Sequence, residues 1–155
     1  MKMTSTSQFT QSLLGTWILV EFTMTDPVNR LNTYPMGSDP HGVLIYSSDG
    51  YVSAQIMRRD LSEYLHADAT KDDLSVALGR FLAYAGQFEV CEGSEKFHLK
   101  HMLRVCSYPH WIGQVQERVA ELNGDYLMLS SDGPLLSTVF PPLVCRSSFY
   151  FLFHD

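Results

Sequence analysis

Apolar and polar residues alternate in short runs along most of the chain, and tight-turn signals punctuate the runs. Those signals are Asp39-Pro40-His41-Gly42, Ser48-Asp49-Gly50, Glu92-Gly93-Ser94, Asn123-Gly124-Asp125 and Asp132-Gly133-Pro134. Asp-Gly and Asn-Gly pairs tolerate the positive φ angles of short hairpins. The runs between them are rich in β-branched and aromatic residues and predict strands over Thr16–Thr25, Val43–Ser47, Tyr51–Arg58, Gln87–Cys91, Lys96–Cys106, Gln114–Leu122, Tyr126–Ser130 and Ser147–Phe153. About eight antiparallel strands can close into a barrel with room for one ligand. One segment keeps a different period. Leu74, Ala77, Leu78, Phe81, Leu82 and Ala85 form a helical stripe, with Thr70 and Asp73 as a capping pair and Gly86 as the stop. This helix is expected to cover one mouth or flank, and a shorter helical turn near Gln8–Leu14 to plug the other end. The Asp132–Pro142 segment, with three prolines, reads as an irregular loop bordering an opening.

Alternation sorts side chains into an inner and an outer set. Phe97, Leu99, His101 and Leu103 share a face, opposite the charged set Lys96, His98, Lys100 and Arg104, so His101 is expected inside. Similar reasoning groups Ser53 with Gln55 and Met57, Gln114 with Gln116 and Arg118, and Trp17 with Leu19, Glu21 and Thr23. If these faces point inward, Glu21, Ser53, Gln55, His101, Gln116 and Arg118 line a mostly apolar interior with a few convergent polar groups. His101 is the candidate acid or base, because imidazole exchanges a proton near neutral pH. Its bland alternative is a core histidine tied to a neighbouring strand or to Glu21. Arg118 could stabilise an enolate or carboxylate, or else form a buried ion pair with Glu21. Gln55 and Gln116 could orient a carbonyl or hydroxyl, or satisfy each other. Tyr46, Tyr51, Tyr84 and Trp111 sit near hairpin ends, where aromatics close a core and sometimes grip a ligand, and Trp17 should seal the barrel floor.

At 155 residues the chain has the size of one domain, spanning 1–155. Hydrophobic residues make up 45% and charged residues 18%, which suits a folded globule and argues against disorder. The net charge of −6, with no clustered basic face, argues against a nucleic-acid partner. Met1–Ser12 is polar and lacks the apolar core of a signal peptide, and no run approaches membrane-spanning length, so a cytoplasmic location away from membranes is expected. Cys91, Cys106 and Cys145 read as small hydrophobes, although Cys91 and Cys106 could face each other across neighbouring strands. His98 and His101 lie on opposite faces, and His41, His66, His110 and His154 are scattered, so no metal is expected. Gly79 and Gly86 fall on or beside the helix and make no nucleotide loop, and no serine sits in a nucleophile elbow, so no cofactor is expected either.

Four ordered stretches resemble the lipocalin-like domain family of bacteria and fungi. They are the Gly-x-Trp opening in Leu14–Val20, then Tyr34–Tyr46 running into Asp49–Arg58, then Tyr84–Val90, and finally Pro109–Arg118. The likeness covers roughly Leu14 to Leu129. The C-terminus departs from it: such domains usually end in a strand carrying Trp and Arg, whereas this chain has Leu143–Arg146 followed by Phe149–Phe153. The resemblance implies a mainly β fold, a single antiparallel lipocalin-like (calycin-type) barrel with one covering helix. Small barrels of this kind in fungi include cofactor-free enzymes of secondary metabolism that guide cyclisation, isomerisation or pericyclic steps, and the resemblance carries that implication with it.

The reading that follows is a cofactor-independent isomerase, cyclase or dehydratase for a small, largely apolar polyketide- or terpenoid-like molecule. His101, Arg118 and Glu21 are the catalytic candidates. Ser53, Gln55, Met57, Tyr46, Tyr84, Trp111, Gln114 and Gln116 are the substrate contacts. A shaped cavity with one or two polarising groups suffices for such chemistry. The alternatives are a non-catalytic carrier of a small hydrophobic ligand and an interaction module with a filled interior. Exposed edges in a partly open barrel would leave room for a homodimer.

Overall fold

A computed structural model describes residues 5–60, 68–131, 135–136 and 144–154. The described chain begins with helix α1 (Thr6–Leu13) and strands β1 (Gly15–Thr25), β2 (Asn32–Thr33), β3 (His41–Tyr46) and β4 (Tyr51–Met57). Helix α2 (Lys71–Leu78) leads into β5 (Phe81–Glu92) and β6 (Phe97–Cys106). A 3-10 turn at Pro109–Trp111 precedes β7 (Val115–Asn123), β8 (Tyr126–Ser130), β9 (Leu135–Leu136) and β10 (Val144–His154). The strands run β1-β3-β4-β5-β6-β7-β8-β10, and β10 pairs back with β1. Every pairing is antiparallel, so the eight long strands form the closed barrel expected from the sequence. The two-residue strands β2 and β9 attach to the ends of β1 and β10.

The inner wall follows the alternation of apolar residues. Leu44 and Tyr46 on β3 face Ala54 and Val52 on β4, and Leu82, Tyr84 and Gly86 on β5 continue that layer. Leu99, His101 and Leu103 on β6, Leu127 and Leu129 on β8, and Phe149 and Phe151 on β10 complete it. Helix α1 closes one end. Ser5 and Gln8 form its capping box. Phe9 stacks on Phe97 at 4.1 Å, and the Trp17 indole N–H donates to the Leu13 carbonyl at 2.8 Å. Trp17, only 2% exposed, meets Phe153 edge-on at 5.0 Å, which makes this end the sealed floor.

Several expectations need correction. The helix predicted through Gly86 stops at Leu78, with Gly79 as its cap, and Phe81–Gly86 instead open β5. The Thr70–Asp73 capping box is present, but Leu74 and Leu78 are 46% and 64% exposed, so the stripe that suggested a longer helix is not buried by helical packing. Phe81, Leu82 and Ala85 satisfied a helical spacing by coincidence, since Leu82, Tyr84 and Gly86 alternate inward as a strand. Gly86 has another purpose. A Cβ there would overlap the Met102 carbonyl oxygen where β5 and β6 shift register between Ala85 and Gly86. Cys91 pairs with His98 and Cys106 with Tyr84, at opposite ends of the β5–β6 ladder, and both are free thiols. The Asp132–Pro142 loop, apart from Leu135 and Leu136, lies outside the described residues, as do His66 and the side chain of Cys145.

Two inner faces also differ from expectation. A bulge between Leu19 and Glu21 resets β1, so Trp17 and Leu19 face inward in its first half and Phe22 and Met24 in its second. Glu21 therefore pairs with Tyr150 on the outside, and Thr23 pairs with Ser148 away from the inner face. On β4 the apolar residues Val52, Ala54 and Ile56 are buried, which turns Ser53, Gln55 and Met57 outward. Burying three apolar side chains is worth several kcal/mol more than burying a hydroxyl and an amide. That preference fixes the register.

Candidate functional site

The barrel's middle layer carries a polar array. His101, fully buried, sits in the ladder between Phe88 on β5 and Gln116 on β7. The Tyr46 hydroxyl lies 2.9 Å from its Nε2 and the Tyr84 hydroxyl 2.9 Å from its Nδ1. Tyr46 comes from β3 and Tyr84 from β5, so the array crosses the inner surface of β4 and β5, where Ala54 and Gly86 keep the wall low. Phe88 meets the Tyr46 ring edge-on at 4.8 Å.

Burial controls the protonation of this array. Desolvation, helped by the nearby Arg118 charge, pulls the His101 pKa down from 6.5 to about 3. Desolvation raises the Tyr84 pKa to about 12, with Arg118 opposing the rise and Cys106 adding to it. Burial likewise lifts Tyr46 well above its ordinary value, with Tyr84 adding and Arg118 opposing. At neutral pH the imidazole is neutral and both phenols are protonated. One phenol then donates to the bare ring nitrogen, and the ring N–H donates to the other phenol oxygen. Three protons serve two hydrogen bonds. The phenol that accepts from the ring keeps its own O–H for another acceptor.

Arg118 stands next to this array. It pairs with the buried Leu99 on β6 and so shares the inner face. Its guanidinium carbon lies 5.9 Å from the centroid of Phe149, whose ring stacks on Phe22 at 4.2 Å. It donates to the Glu117 carbonyl at 2.7 Å and to Gln116 Oε1 at 3.3 Å. Desolvation lowers its pKa, while the two tyrosines act in the opposite sense. The expected ion pair with Glu21 is absent, because the β1 bulge sends that carboxylate to the other face.

The structure thus brings together Tyr46, Tyr84, His101, Gln116 and Arg118. It does not bring Glu21, Ser53, Gln55, Met57 or Gln114 to them. Gln55 donates to Ser53 at 2.7 Å on the outer face of β4, so it cannot pair with Gln116. Gln114 is exposed and donates to the His110 carbonyl at 2.9 Å. Trp111 is half-buried in the 3-10 turn beside Tyr108, at 5.6 Å between rings. Phe149, whose ring lies under Arg118, and Phe22, stacked on it, escaped the sequence reading. Phe149 was legible in the alternation with Phe151, whereas Phe22 required the bulge. Among the described residues no three His, Cys, Asp or Glu side chains form a metal-binding group, and no helix is long and apolar enough to cross a membrane.

Comparisons with known proteins agree with this architecture. A family model described as a lipocalin-like domain matches residues 14–137. The chain is also similar to the 4'-hydroxy-3'-methoxypropiophenone carrier protein ppsC of Aspergillus oryzae (strain ATCC 42149 / RIB 40). The two are 38% identical over a 93-residue match that covers 55% of this chain and 83% of that protein.

Proposed function

The chain belongs to the lipocalin-like domain family, and from that premise we propose that it binds and carries a small, largely apolar molecule inside its barrel, with the Tyr46–His101–Tyr84 array gripping an oxygen of that molecule. The carrying observation is the proton count of the array: a neutral imidazole between two phenols leaves one buried O–H in search of an acceptor. A ligand carbonyl, hydroxyl or ether oxygen answers that need, while Phe88, Leu99, Phe149 and Phe22 offer an apolar surround. The name of the Aspergillus oryzae relative, a carrier of an aromatic ketone, supports both the carrier role and a carbonyl-bearing aromatic ligand.

The same array favours a second reading, a cofactor-free isomerase. Tyr46 could give its proton to a ligand carbonyl oxygen while taking one from Nε2 of His101. Nδ1 would then take the Tyr84 proton, and the Tyr84 oxygen would take a proton from the carbon next to the carbonyl. The ligand leaves as its enol tautomer, the imidazole ends in its other tautomer, and every atom and charge balances.

Calorimetric titration with 4'-hydroxy-3'-methoxypropiophenone tests both. Saturable binding that weakens by roughly tenfold in Tyr84→Phe is expected, the ordinary value of one buried hydrogen bond. Absence of saturable binding, or full affinity in both Tyr84→Phe and Tyr46→Phe, would overturn the interior site. The same samples in deuterated water separate the two readings. Protein-accelerated exchange at the carbon next to the carbonyl, lost in His101→Gln, marks an isomerase, and exchange at the free-ligand rate marks a carrier.

A further inference from the structure

Arg118 is an inward cation whose charge no carboxylate answers among the described residues. The ion pairs there lie elsewhere: Arg58 and Arg80 with Asp60, Arg59 with Asp39, Lys96 with Glu121, and Lys100 with Glu117. Glu117 meets Arg118 only through its backbone carbonyl, its carboxylate being engaged by Lys100 on the outer face. A half-buried guanidinium with no acidic neighbour among the described residues stands out physically. Taking a cation from water is unfavourable unless an anion or several acceptors meet it.

Among the described residues the surroundings are short of acceptors. A guanidinium has five N–H donors in a fixed fork, and two hydrogen bonds from Arg118 reach protein acceptors. The Gln116 oxygen is already used by Arg118, which leaves the amide NH2 as a further donor. The Tyr46–His101–Tyr84 array adds its surplus hydroxyl proton. The titratable groups facing Arg118 from the packed strands are Tyr46 on β3, Tyr84 on β5 and His101 on β6, and all three are neutral near pH 7. Phe149 on β10 presents a ring face. The result is a donor-rich, positively charged patch against an aromatic surface.

We infer that Arg118, with Gln116 beside it, receives the anionic oxygen of an ionised aromatic ligand, a phenolate or enolate, whose ring packs against Phe149. This rests on the interior being the ligand site and adds the ligand's charge to that reading. A planar guanidinium fork suits an oxyanion, and charge-assisted hydrogen bonds are about twice as strong as neutral ones. The array then holds a second oxygen on the same ligand. Phenolate and enolate share the recognised chemistry, a single oxyanion conjugated to an unsaturated carbon frame.

The test uses 4-nitrophenol, whose yellow phenolate is followed by absorbance, and 4-nitroanisole, its methyl ether of nearly the same shape. Bound 4-nitrophenol should ionise at a pH lower than the free compound by about one unit or more, since a charge-assisted contact favours the anion by roughly 10- to 100-fold. Arg118→Met, which keeps the stem but not the charge, should abolish the shift without weakening 4-nitroanisole. Arg118→Lys should keep most of it, and a thermal transition in each variant reports folding. Binding of both compounds with an unshifted ionisation would overturn the inference and leave the interior site standing. A folded Arg118→Met that retains the shift would overturn it in the same way. Failure of both compounds to bind would remove the interior site and the inference with it.

Discussion

His101 shows how one side chain can link folding to acidity. Its pKa falls from 6.5 in the unfolded chain to about 3 in the barrel, mainly because burial penalises the imidazolium. The unfolded chain therefore takes up a proton that the folded one refuses as pH drops through 6.5. The stability this residue contributes is complete above that value and is lost progressively down to about 3. His101→Gln, which offers both a donor and an acceptor to the two tyrosines but does not titrate, should show a shallower loss between pH 6.5 and 4. Urea unfolding at several pH values checks this, and equal slopes for both proteins would contradict it. The carboxylate background, including Asp60 with its pKa lowered by Arg58, is common to both proteins and cancels in the comparison. His101 was legible in the sequence because charged residues at Lys96, His98, Lys100 and Arg104 mark the other face of its strand. Alternation along the strands does not by itself join it to its tyrosine partners. Tyr46 reaches it over two intervening strands, and that depends on barrel closure and not on local spacing.

Strands and helices were legible as kinds and less so at their ends. Tyr126–Ser130 matches β8 residue for residue, while β5 begins six residues before its expected start because Phe81–Gly86 fitted two periods at once. Glu21 was misplaced for a related reason: alternation assumes an unbroken pleat, and the bulge in β1 breaks it. On β4 alternation alone leaves the choice of face open. Val52, Ala54 and Ile56 are the more apolar set, and the hydrophobic effect selects them over Ser53, Gln55 and Met57. Gly86 is where an element's geometry rests on one residue. A methyl group there collides with the backbone of Met102, which cannot swing aside as a flexible side chain would. Gly86→Ala should cost about 3 kcal/mol or more, or prevent folding, read by chemical denaturation. Gly50, whose added Cβ would meet nothing within 4 Å but whose φ is +88°, should lose less on the same substitution.

Closure is a property of the whole chain. The first long strand and the last are partners along nearly their full lengths, from Thr16 opposite His154 to Thr25 opposite Arg146. Without β10, the edges of both β1 and β8 would lie open, and Phe149 and Phe151 would be missing from the core. A chain ending at Ser131 should therefore lack a cooperative thermal transition, monitored by circular dichroism; a sharp transition near that of the intact protein would show that closure is dispensable. The C-terminal departure from the family's usual ending did not prevent this pairing, since alternation of Phe149, Phe151 and Phe153 was enough to supply an inner edge. The stopper formed by α1, Phe9, Leu13 and Trp17 has a consequence for traffic. A vessel with one blind end is emptied by the route through which it was filled. On the carrier reading proposed above, a ligand held inside would have to be loaded and released by passages other than the end that α1 closes.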